Sequence, residues 1–421
     1  MKILYVSQYF PPEMGAPSAR VHEMSRAWVQ LGHQVTVLTG FPNHPTGVIP
    51  SEYRGQWFRR DIVDGIQVVR VPIYAAANKG FAKRIANYLS FGASASVFGP
   101  FMAGHPDLVI ATSPQFLTAV AGYWLSRLYR VPFVFEVRDL WPSSIVAVGA
   151  MPATSPVVKA LEQIELFLYR AASHVVVVTE SFVDEICARG IDRSKLSVIT
   201  NGVDLDLFRP SSRQEARTRL GLPAGFIATY VGTHGMAHGL GMLLDAAPRL
   251  AADGITLLLV GEGAEKAALK ERATREGLKN VIFWDQRPRN EIADVYAAAN
   301  VCLVLLRGKQ LFKTVIPSKI FEFMGAGRAI HTTVDGESRV IIERAGAGVF
   351  SAPEDLDAFV TTLRKCAATP GDLDELGKSG RRYAEANYSR PALASRFADL
   401  LVRLVAARSA DSAGVPGWRA P

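Results

Sequence analysis

The chain is poor in cysteine: its 421 residues include only Cys187, Cys302 and Cys366. These three are widely separated and odd in number, which excludes a disulfide framework and the paired spacing of zinc or thiol-redox sites. We therefore expect free thiols in a reducing, cytoplasmic compartment.

Other absences narrow the class of protein further. No run of five or more basic residues and no zinc-finger pattern occurs, so nucleic acid is not an expected partner. The apolar run at the start is too short for a signal peptide, and no small-residue cleavage site follows it. With 49% hydrophobic and 20% charged residues, the composition is that of a globular protein and excludes wholesale disorder.

Length and charge indicate two or three domains with a basic first part. The formal net charge is +8, and residues 1–130 hold 12 Lys and Arg against 6 Asp and Glu. A basic N-terminal half predicts an anionic partner, such as lipid headgroups or a diphosphate.

One uncharged segment is a candidate for contact with a membrane. Residues 85–104 carry no charge over twenty residues, but small and polar residues and the Gly99-Pro100 break argue against a membrane span. Basic residues precede the segment, as in a helix that rests on anionic lipid. The expected membrane-contact residues are Lys79, Lys83, Arg84, Tyr88 and Phe91. The alternative is a buried helix rich in Ala and Gly.

Short apolar runs rich in β-branched residues recur along the chain, separated by segments of helical period. This rhythm predicts an α/β fold with parallel sheets. In the first half the predicted strands are Lys2–Ser7, Gln34–Thr39, Ile66–Val71, Leu108–Thr112, Phe133–Val137, His174–Thr179 and Leu196–Thr200. In the second half they are Ile227–Val231, Ile255–Val260, Val281–Trp284, Val301–Leu305, Ala329–Thr333 and Gly348–Phe350.

A turn-rich, polar stretch at residues 201–225 divides the two halves. It predicts two doubly wound, Rossmann-like domains facing a cleft, with ligands at the carboxyl ends of the strands. We expect an N-terminal domain over residues 1–205 and a C-terminal domain over residues 206–388. Residues 389–408 are expected to form a helix that packs back on the first domain, followed by a disordered tail at 409–421.

The segment Pro317–Gly327 (PSKIFEFMGAG) carries most of the chemical information. Pro317 can begin a short helix that places Lys319 and Glu322 three residues apart on one face. A carboxylate accepts hydrogen bonds from two vicinal ribose hydroxyls, and a cation at a helix N-terminus meets a diphosphate. The pairing predicts a sugar-nucleotide site. The alternative is an exposed ion pair on an amphipathic helix.

Five separated motifs resemble the retaining GT-B glycosyltransferases of family 4, over roughly residues 1–405. They are FPPEMGAP at 10–17, NGVDLDLF at 201–208, VGEG at 260–263, YAAAN at 296–300 and the Pro317–Gly327 helix. RDLWPSS at 138–144 further resembles the subgroup that adds amino sugars to lipid-linked precursors of bacterial surface polysaccharides such as O-antigen and capsule.

The resemblance implies two substrates on two domains. The C-terminal domain would hold a nucleotide-sugar donor, and the resemblance leads us to expect a UDP conjugate. The basic N-terminal domain would hold the acceptor, a polyprenyl-diphosphate-linked sugar or a growing glycan.

Carried over residue by residue, the donor motif both agrees with the family and departs from it. The family's usual signature is a Glu, seven residues and a second Glu that binds the donor ribose. Glu322 matches the second Glu, but the first position is Thr314, which carries no charge. In the loop after the first strand of the second domain, the family's Lys position is His238 and its Arg position is Thr233 or His234.

These departures make Lys319 the expected cation for the donor diphosphate. Further cations in neighbouring loops are expected to help, and they are Arg287, Lys313 and Arg307. The two His residues can donate to phosphate when charged, or they are neutral and structural.

In the N-terminal domain the family often has a His-Asp pair close to the transferred sugar. Arg138 stands at the His position and Asp139 at the Asp position, and we expect Asp139 to contact the sugar or the acceptor hydroxyl. The alternative is a surface ion pair between them. Gly15, in the loop after the first strand, is expected to let backbone N–H groups reach the donor, or to form a plain turn.

Two further short sequence patterns resemble motifs of other functional classes. Asp204-Leu205-Asp206 has the form of a manganese motif but belongs to the linker, so no metal and no other cofactor is expected. Gly261-Glu262-Gly263 resembles the start of a dinucleotide fingerprint, but Lys266 stands where the third Gly belongs.

The combined prediction is a retaining, metal-independent glycosyltransferase that transfers an N-acetylated amino sugar at the cytoplasmic face of a membrane. No side-chain base stands out, so the leaving diphosphate is expected to help deprotonate the acceptor. The alternatives are a sugar-nucleotide epimerase, a non-catalytic GT-B module on a membrane, and a nicotinamide dehydrogenase.

Overall fold

The computed structural model describes residues 1–13, 15–44, 46–76, 81–113, 115–147, 149 and 151–413. Contacts divide the chain into two compact units. Unit 1 comprises residues 1–200 together with the chain from residue 391 onward, and unit 2 comprises residues 201–390.

Unit 1 alternates strands and helices. Its strands are β1 (Lys2–Val6), β2 (Gln34–Gly40), β3 (Arg59–Val63), β4 (Ile66–Val71), β5 (Leu108–Thr112), β6 (Phe133–Val137), β7 (His174–Val177) and β8 (Leu196–Val198). Its first six helices are α1 (Ala16–Gln30), α2 (Phe81–Met102), α3 (Phe116–Tyr129), α4 (Ser143–Ala147), α5 (Pro156–Ala171) and α6 (Glu180–Ala188).

The first sheet has the strand order β3-β4-β2-β1-β5-β6-β7-β8, and all its neighbours are parallel except β3 and β4. The chain leaves β1 toward β2 on one side and later returns to place β5 on the other side. Such a reversal of strand order opens a crevice at the carboxyl ends of the strands, where α/β folds bind ligands.

The edge strand β3 was not predicted from the sequence. It pairs antiparallel to β4 through a two-residue turn in which Asp64 (φ 50°) and Gly65 (φ 79°) both have positive φ. Arg59, Arg60 and Asp61 give this strand the charge that edge strands use to avoid further pairing, so it lacks the apolar run of a buried strand. The Asp-Gly pair was the available signal, because it favours two-residue hairpin turns.

Unit 2 has the same alternation. Its strands are β9 (Phe226–Val231), β10 (Ile255–Val260), β11 (Val281–Trp284), β12 (Val301–Val304), β13 (Ala329–Thr332) and β14 (Gly348–Phe350). Its helices are α7 (Arg213–Leu220), α8 (Gly241–Ala251), α9 (Lys266–Arg275), α10 (Arg289–Ala298), α11 (Lys319–Gly325), α12 (Glu337–Arg344), α13 (Leu356–Ala368) and α14 (Pro370–Asn387).

The second sheet is wholly parallel, with the order β11-β10-β9-β12-β13-β14. Alternate residues of β9 enter two different cores: Ile227 and Val231 one, Ala228 and Tyr230 the other. Burial on both faces explains why its strands read as continuous apolar runs. Strand order reverses at β9, between β10 and β12, so the loops after β9 and β12 lie at the predicted ligand-binding edge.

The last helix, α15 (Arg390–Ala413), completes the core of unit 1. Its buried Phe397 meets Trp28 of α1 edge to face, with ring centroids 5.2 Å apart. The Trp28 indole N–H donates to the carbonyl oxygen of Ala394 at 3.0 Å, so the buried polar atom of this large side chain is satisfied. Residues 414–421 of the expected tail lie outside the described residues.

Helix α2 covers most of the uncharged segment. No helix among the described residues is long and apolar enough to cross a membrane. The expected contact of Phe91 with lipid is wrong, because its side chain is fully buried in the core of unit 1. Lys83 and Arg84 are exposed and Tyr88 is half-buried, while Lys79 lies outside the described residues.

Candidate functional site

The loop after β9 packs its backbone directly onto the loop after β10. The His234 backbone N–H donates to the carbonyl oxygen of Glu262 at 2.8 Å. A Cβ at Gly261 would overlap the carbonyl group of Gly232, and one at Gly263 would overlap that of His234. Close backbone packing therefore accounts for the Gly261-Glu262-Gly263 pattern.

Lys319, the first residue of α11, reaches into this loop. Its Nζ lies 4.1 Å from the centroid of the Tyr230 ring, a cation–π distance. Gly232 has φ 150°, and a Cβ there would lie 2.6 Å from Lys319 Nζ, so the absence of a side chain makes room for the ammonium group. Burial, against the attraction of Glu322, lowers the pKa of Lys319 to about 7. Within the described part of the chain, no carboxylate forms a salt bridge with it.

The two histidines of the loop are neutral. Burial, reinforced by nearby lysine charge, lowers the pKa of His234 and of His238 to about 4. His234 is fully buried, and neither ring nitrogen has a hydrogen-bond partner among the described residues. His238 Nδ1 lies 3.2 Å from the carbonyl oxygen of Leu305. Near neutral pH neither histidine supplies positive charge at this edge, where Lys319, with a pKa of about 7, and Arg307, whose Nε donates to the Met236 carbonyl oxygen of the loop at 2.7 Å, provide cations.

Glu322 lies one turn further along α11 and contacts different partners. Its Oε2 accepts a hydrogen bond from the Tyr296 hydroxyl at 2.8 Å, and its Oε1 lies 3.7 Å from an Arg289 guanidinium nitrogen. Burial raises the pKa of this carboxyl group, against the opposing effect of Arg289 and Tyr296. No salt bridge joins Glu322 to Lys319, and both side chains are largely buried, so the alternative of an exposed ion pair is wrong.

Three other predicted donor residues, Arg287, Lys313 and Thr314, have partners of their own. Arg287 stacks 5.1 Å from the Trp284 ring centroid and lines a pocket of about 400 Å³ at the end of β11. Lys313 forms a salt bridge with Asp335 at 3.3 Å. The Thr314 hydroxyl donates to a backbone carbonyl within its own 3₁₀ turn, Gln310–Thr314.

In unit 1, Arg138 and Asp139 follow β6 directly. The Ser113 hydroxyl oxygen, at the end of β5, accepts both of their backbone N–H groups, at 2.7 and 3.2 Å. Burial raises the pKa of Asp139 to about 6. Arg138 Nε and Nη1 are buried and have no hydrogen-bond partner among the residues described. The two side chains form no salt bridge with each other, which contradicts the alternative of a surface ion pair.

A buried carboxylate lies beneath this pair. Glu136 accepts hydrogen bonds from the Tyr5 hydroxyl at 2.5 Å and from Arg20 Nε at 2.8 Å. Burial alone would raise the pKa of Glu136, but the charges of Arg20 and Arg138 and the Tyr5 hydrogen bond lower it. A fixed negative charge is thus held under the edge where Arg138 lies.

Gly15 precedes α1 at the carboxyl end of β1. Its φ of 135° is one that residues with a side chain rarely adopt, and its carbonyl oxygen accepts the Ala19 backbone N–H at 3.0 Å. Nearby, Glu13 Oε1 accepts the backbone N–H groups of Asn43 and His44, each at 2.9 Å. Burial raises the pKa of Glu13 to about 7.

Each unit thus places charged and polar groups at the carboxyl edge of its sheet. Over the described ranges no cluster of three or more His, Cys, Asp or Glu side chains is arranged to hold a metal ion. Asp204 Oδ1 instead accepts the backbone N–H groups of Asp206 and Leu207, at 3.1 and 3.0 Å.

Two protein families match the chain, one on each unit. Residues 15–202 match the Glycosyl transferase 4-like domain, and residues 225–369 match the Glycosyl transferases group 1 domain. The chain belongs to the glycosyltransferases of this two-domain type. The GT-B fold and the glycosyltransferase activity of this group confirm the resemblance that the sequence motifs indicated.

Individual relatives of this glycosyltransferase agree with the assignment. The putative colanic acid biosynthesis glycosyl transferase WcaI of Escherichia coli is 23% identical over 94% of the chain and 98% of its own length. Sucrose-phosphate synthase of Thermosynechococcus elongatus shares the fold with a TM-score of 0.76 at 19% identity, over 96% of this chain and 99% of that one. Anabaena HepE, solved with UDP-glucose, has a TM-score of 0.71 at 18% identity, over 96% and 100%.

Several residues that contact the candidate site residues of the two units were not identified from the sequence. Tyr296 was quoted within the YAAAN motif but given no role, and Arg289 lies two residues beyond the predicted Arg287. Their helical spacing of seven, on α10, was a signal that both face the same neighbour. Ser113, Arg20 and Glu136 carried no such signal, because their partners lie on strands distant in sequence.

The raised pKa of Asp139 predicts that this residue costs stability. Because its folded-state pKa of about 6 exceeds the ordinary 3.8, the free energy of unfolding falls as pH rises from about 4 to about 6. Asp139→Asn should remove this slope and raise the free energy of unfolding by about 1–3 kcal/mol above pH 7, with no gain below pH 4. Urea denaturation across this pH range measures it.

The exposed Asp184 on α6 provides the control, because Asp184→Asn should change stability by less than about 0.5 kcal/mol. An Asp139→Asn variant that is less stable than the wild type at pH 7.5 would show that the carboxylate is stabilised by the fold.

Proposed function

We propose that this glycosyltransferase transfers an N-acetylated amino sugar, with retention of configuration, from a UDP-linked donor to a polyprenyl-diphosphate-linked or growing surface glycan. The transfer needs no metal ion or cofactor and takes place at the cytoplasmic face of a membrane. The observation that carries the proposal is that Lys319 and Glu322, both on α11, contact different neighbours. Lys319 reaches the loop after β9, whereas Glu322 contacts Tyr296.

This arrangement suits the two polar parts of a nucleotide diphosphate. Among the residues that the structure describes, the nearest cation to Glu322 Oε1 is the Arg289 nitrogen at 3.7 Å, beyond hydrogen-bond distance, which leaves this oxygen able to accept hydrogen bonds from the ribose hydroxyls. Lys319, at the start of a helix, supplies the cation for the diphosphate. The solved relative HepE holds UDP-glucose, and the name of WcaI, a putative colanic acid biosynthesis glycosyl transferase, supports a role in polysaccharide synthesis.

The main requirement of the reaction is stabilisation of the negative charge on the leaving diphosphate. As the bond from the sugar to the diphosphate breaks, negative charge grows on the diphosphate, and a protonated Lys319 stabilises it. In unit 1 we assign Asp139 to a hydroxyl of the sugar or acceptor and Arg138 to a phosphate. The acceptor proton passes to the departing diphosphate, and the donor sugar keeps its configuration.

For membrane association we propose a larger set of residues, which keeps Lys83 and Arg84 from those first predicted. Helix α2 packs against α3, and α3 against α5, and the three helices carry large exposed apolar side chains. We call this surface the helical face, and its exposed apolar residues are Leu89, Val97, Phe101, Trp124, Leu128 and Phe167. Its exposed basic residues are Lys83, Arg84, Arg127, Arg130, Lys159 and Arg170. Apolar and basic groups together match the interface of an anionic bilayer.

The first prediction concerns the donor ribose. Glu322→Ala should weaken UDP binding by about 1.5–3 kcal/mol, because a carboxylate that accepts hydrogen bonds from the ribose is lost. Titration calorimetry without added metal measures the affinity. Glu343→Ala removes an exposed carboxylate from the same unit and should leave the affinity unchanged. An unchanged affinity for UDP in a folded Glu322→Ala variant would remove Glu322 from the donor site.

The second prediction concerns the pH dependence of donor binding. Below pH 7 Lys319 is protonated and can pair with a diphosphate; above its pKa of about 7, binding must first restore that proton. The dissociation constant of UDP-glucose should therefore be level below pH 6.5 and rise by up to about tenfold per pH unit above pH 7.

Lys319→Arg is the matched variant, because arginine stays protonated across this range and should make the affinity independent of pH. The neighbours Tyr230, His234 and His238 are neutral throughout this range, which leaves Glu322 as the charged group acting on Lys319. A wild-type pH profile that the arginine variant reproduces would rule out Lys319 as the titrating group.

The third prediction concerns the helical face. The double variant Phe101→Ser and Trp124→Ser should bind vesicles of anionic lipid several-fold more weakly, because two exposed aromatic side chains no longer enter the interface. Val402→Ser on α15 removes an exposed apolar side chain elsewhere in unit 1 and should bind like the wild type. Sedimentation with the vesicles measures binding. Equal binding by the wild type, the double variant and Val402→Ser would contradict the proposed helical face.

A further inference from the structure

One tyrosine holds the carboxylate that we assign to the donor ribose. The Tyr296 hydroxyl, in the last turn of α10, donates to Glu322 Oε2 at 2.8 Å. Tyr296 is 2% exposed and the Glu322 side chain 17%, so water has little access to this hydrogen bond. Hydrogen bonds to charged groups are stronger than those between neutral groups, and the contact therefore fixes one of the two carboxylate oxygens.

The Tyr296 ring is itself held by two other aromatic rings. It meets Phe323 of α11 edge to face, with centroids 4.8 Å apart, and its centroid lies 5.5 Å from that of Phe208. All three side chains belong to one buried core cluster of unit 2. Close-packed side chains keep a single rotamer, and aromatic pairs at these distances add to the stability of the cluster. The position of the hydroxyl group is therefore set by the core.

The same contact favours the charged form of the carboxyl group. Burial, together with the charge of Glu322, raises the pKa of Tyr296 well above its usual value, so the phenol is a donor near neutral pH. Burial also raises the pKa of Glu322, and the charge of Arg289 and the Tyr296 hydrogen bond act against that rise. Tyr296 thus helps to keep Glu322 in the state that accepts hydrogen bonds.

The other carboxylate oxygen is left for a ligand. Glu322 Oε1 lies 3.7 Å from a guanidinium nitrogen of Arg289, beyond hydrogen-bond distance. A ribose has two vicinal hydroxyl groups, and both can donate. A carboxylate that is already oriented loses less freedom when it binds them than one that turns freely, so its orientation contributes to affinity.

We propose that Tyr296 is a positioning residue for donor binding: by holding Oε2 of Glu322 it presents Oε1 to the ribose, and it thereby gives the enzyme a preference for nucleotides with an intact ribose. Tyr296 acts through Glu322 and not by touching the donor. The proposal rests on the proposed function, since it explains how the carboxylate assigned there to the ribose is kept in place.

The test uses the full chain and two probes that differ only in the ribose. They are UDP and its dideoxy analogue, which lacks both vicinal hydroxyl groups. Titration calorimetry gives the ratio of their dissociation constants, which we call the ribose preference. The wild type should bind UDP at least about tenfold more tightly, because the analogue offers Glu322 no hydroxyl group. Both probes carry the same diphosphate, so the contribution of Lys319 cancels in the ratio.

Tyr296→Phe removes only the hydroxyl group. UDP should bind about three- to tenfold more weakly to this variant, whereas the affinity for the dideoxy analogue should stay within about twofold of the wild type. The ribose preference should therefore fall below about threefold. A merely structural role of Tyr296 would weaken the binding of both probes alike and leave the ribose preference unchanged.

Unit 1 contains a matched tyrosine for the control. The hydroxyl of the fully buried Tyr169 donates to Glu165 Oε1 at 2.6 Å, and Arg189 forms a salt bridge with the same carboxylate. Tyr169→Phe loses the same type of hydrogen bond from a carboxylate to which no ligand is assigned, and it should keep the ribose preference of the wild type. Urea denaturation of both variants checks that each is folded.

Glu322→Ala separates this proposal from the proposed function, because it should bind the two probes equally. If it does, and folded Tyr296→Phe keeps the ribose preference of the wild type, the positioning role alone is rejected. A wild type that binds both probes equally, or that binds no UDP, would reject the assignment of Glu322 to the donor ribose and the role of Tyr296 together.

Discussion

Close contact between two backbone loops governs the chemistry of the second unit. The loop after β9 lies so near the loop after β10 that Gly261 and Gly263 cannot carry side chains, and Gly232 leaves its space to the Lys319 ammonium group. The packing buries His234 and keeps it neutral. The cations beside this loop come from outside it, Lys319 from the start of α11 and Arg307 from the segment after β12.

Burial of these charged groups also makes the candidate sites costly in folding stability. Lys319, Asp139 and Glu322 all have pKa values shifted by burial away from their charged forms, which is the reverse of what stability alone would favour. Active sites commonly keep such groups because a ligand of opposite charge, or a developing charge in the reaction, restores the missing partner. The buried Glu136, held by Tyr5 and Arg20, shows the contrasting structural case, in which partners within the fold lower the pKa.

The sequence allowed two parallel α/β domains to be predicted because parallel strands buried on both faces appear as separate apolar runs, and the resemblance of five motifs then implied the GT-B fold. The edge strand β3 has charged residues instead, and only its Asp64-Gly65 turn marked it. Within the site, helical spacing correctly placed Lys319 and Glu322 on one helix, but it could not tell that one contacts Tyr230 and the other Tyr296. Those contacts depend on the packing of distant strands. For the same reason Phe91 was expected at a membrane but lies in the core.

A crystal structure of the enzyme with UDP would show whether α11 binds both polar parts of the donor. We expect both ribose hydroxyls within hydrogen-bond distance of the Glu322 carboxylate, and a diphosphate oxygen within about 3 Å of Lys319 Nζ. A diphosphate bound away from Lys319, with Glu322 making no contact with the ribose, would contradict the account.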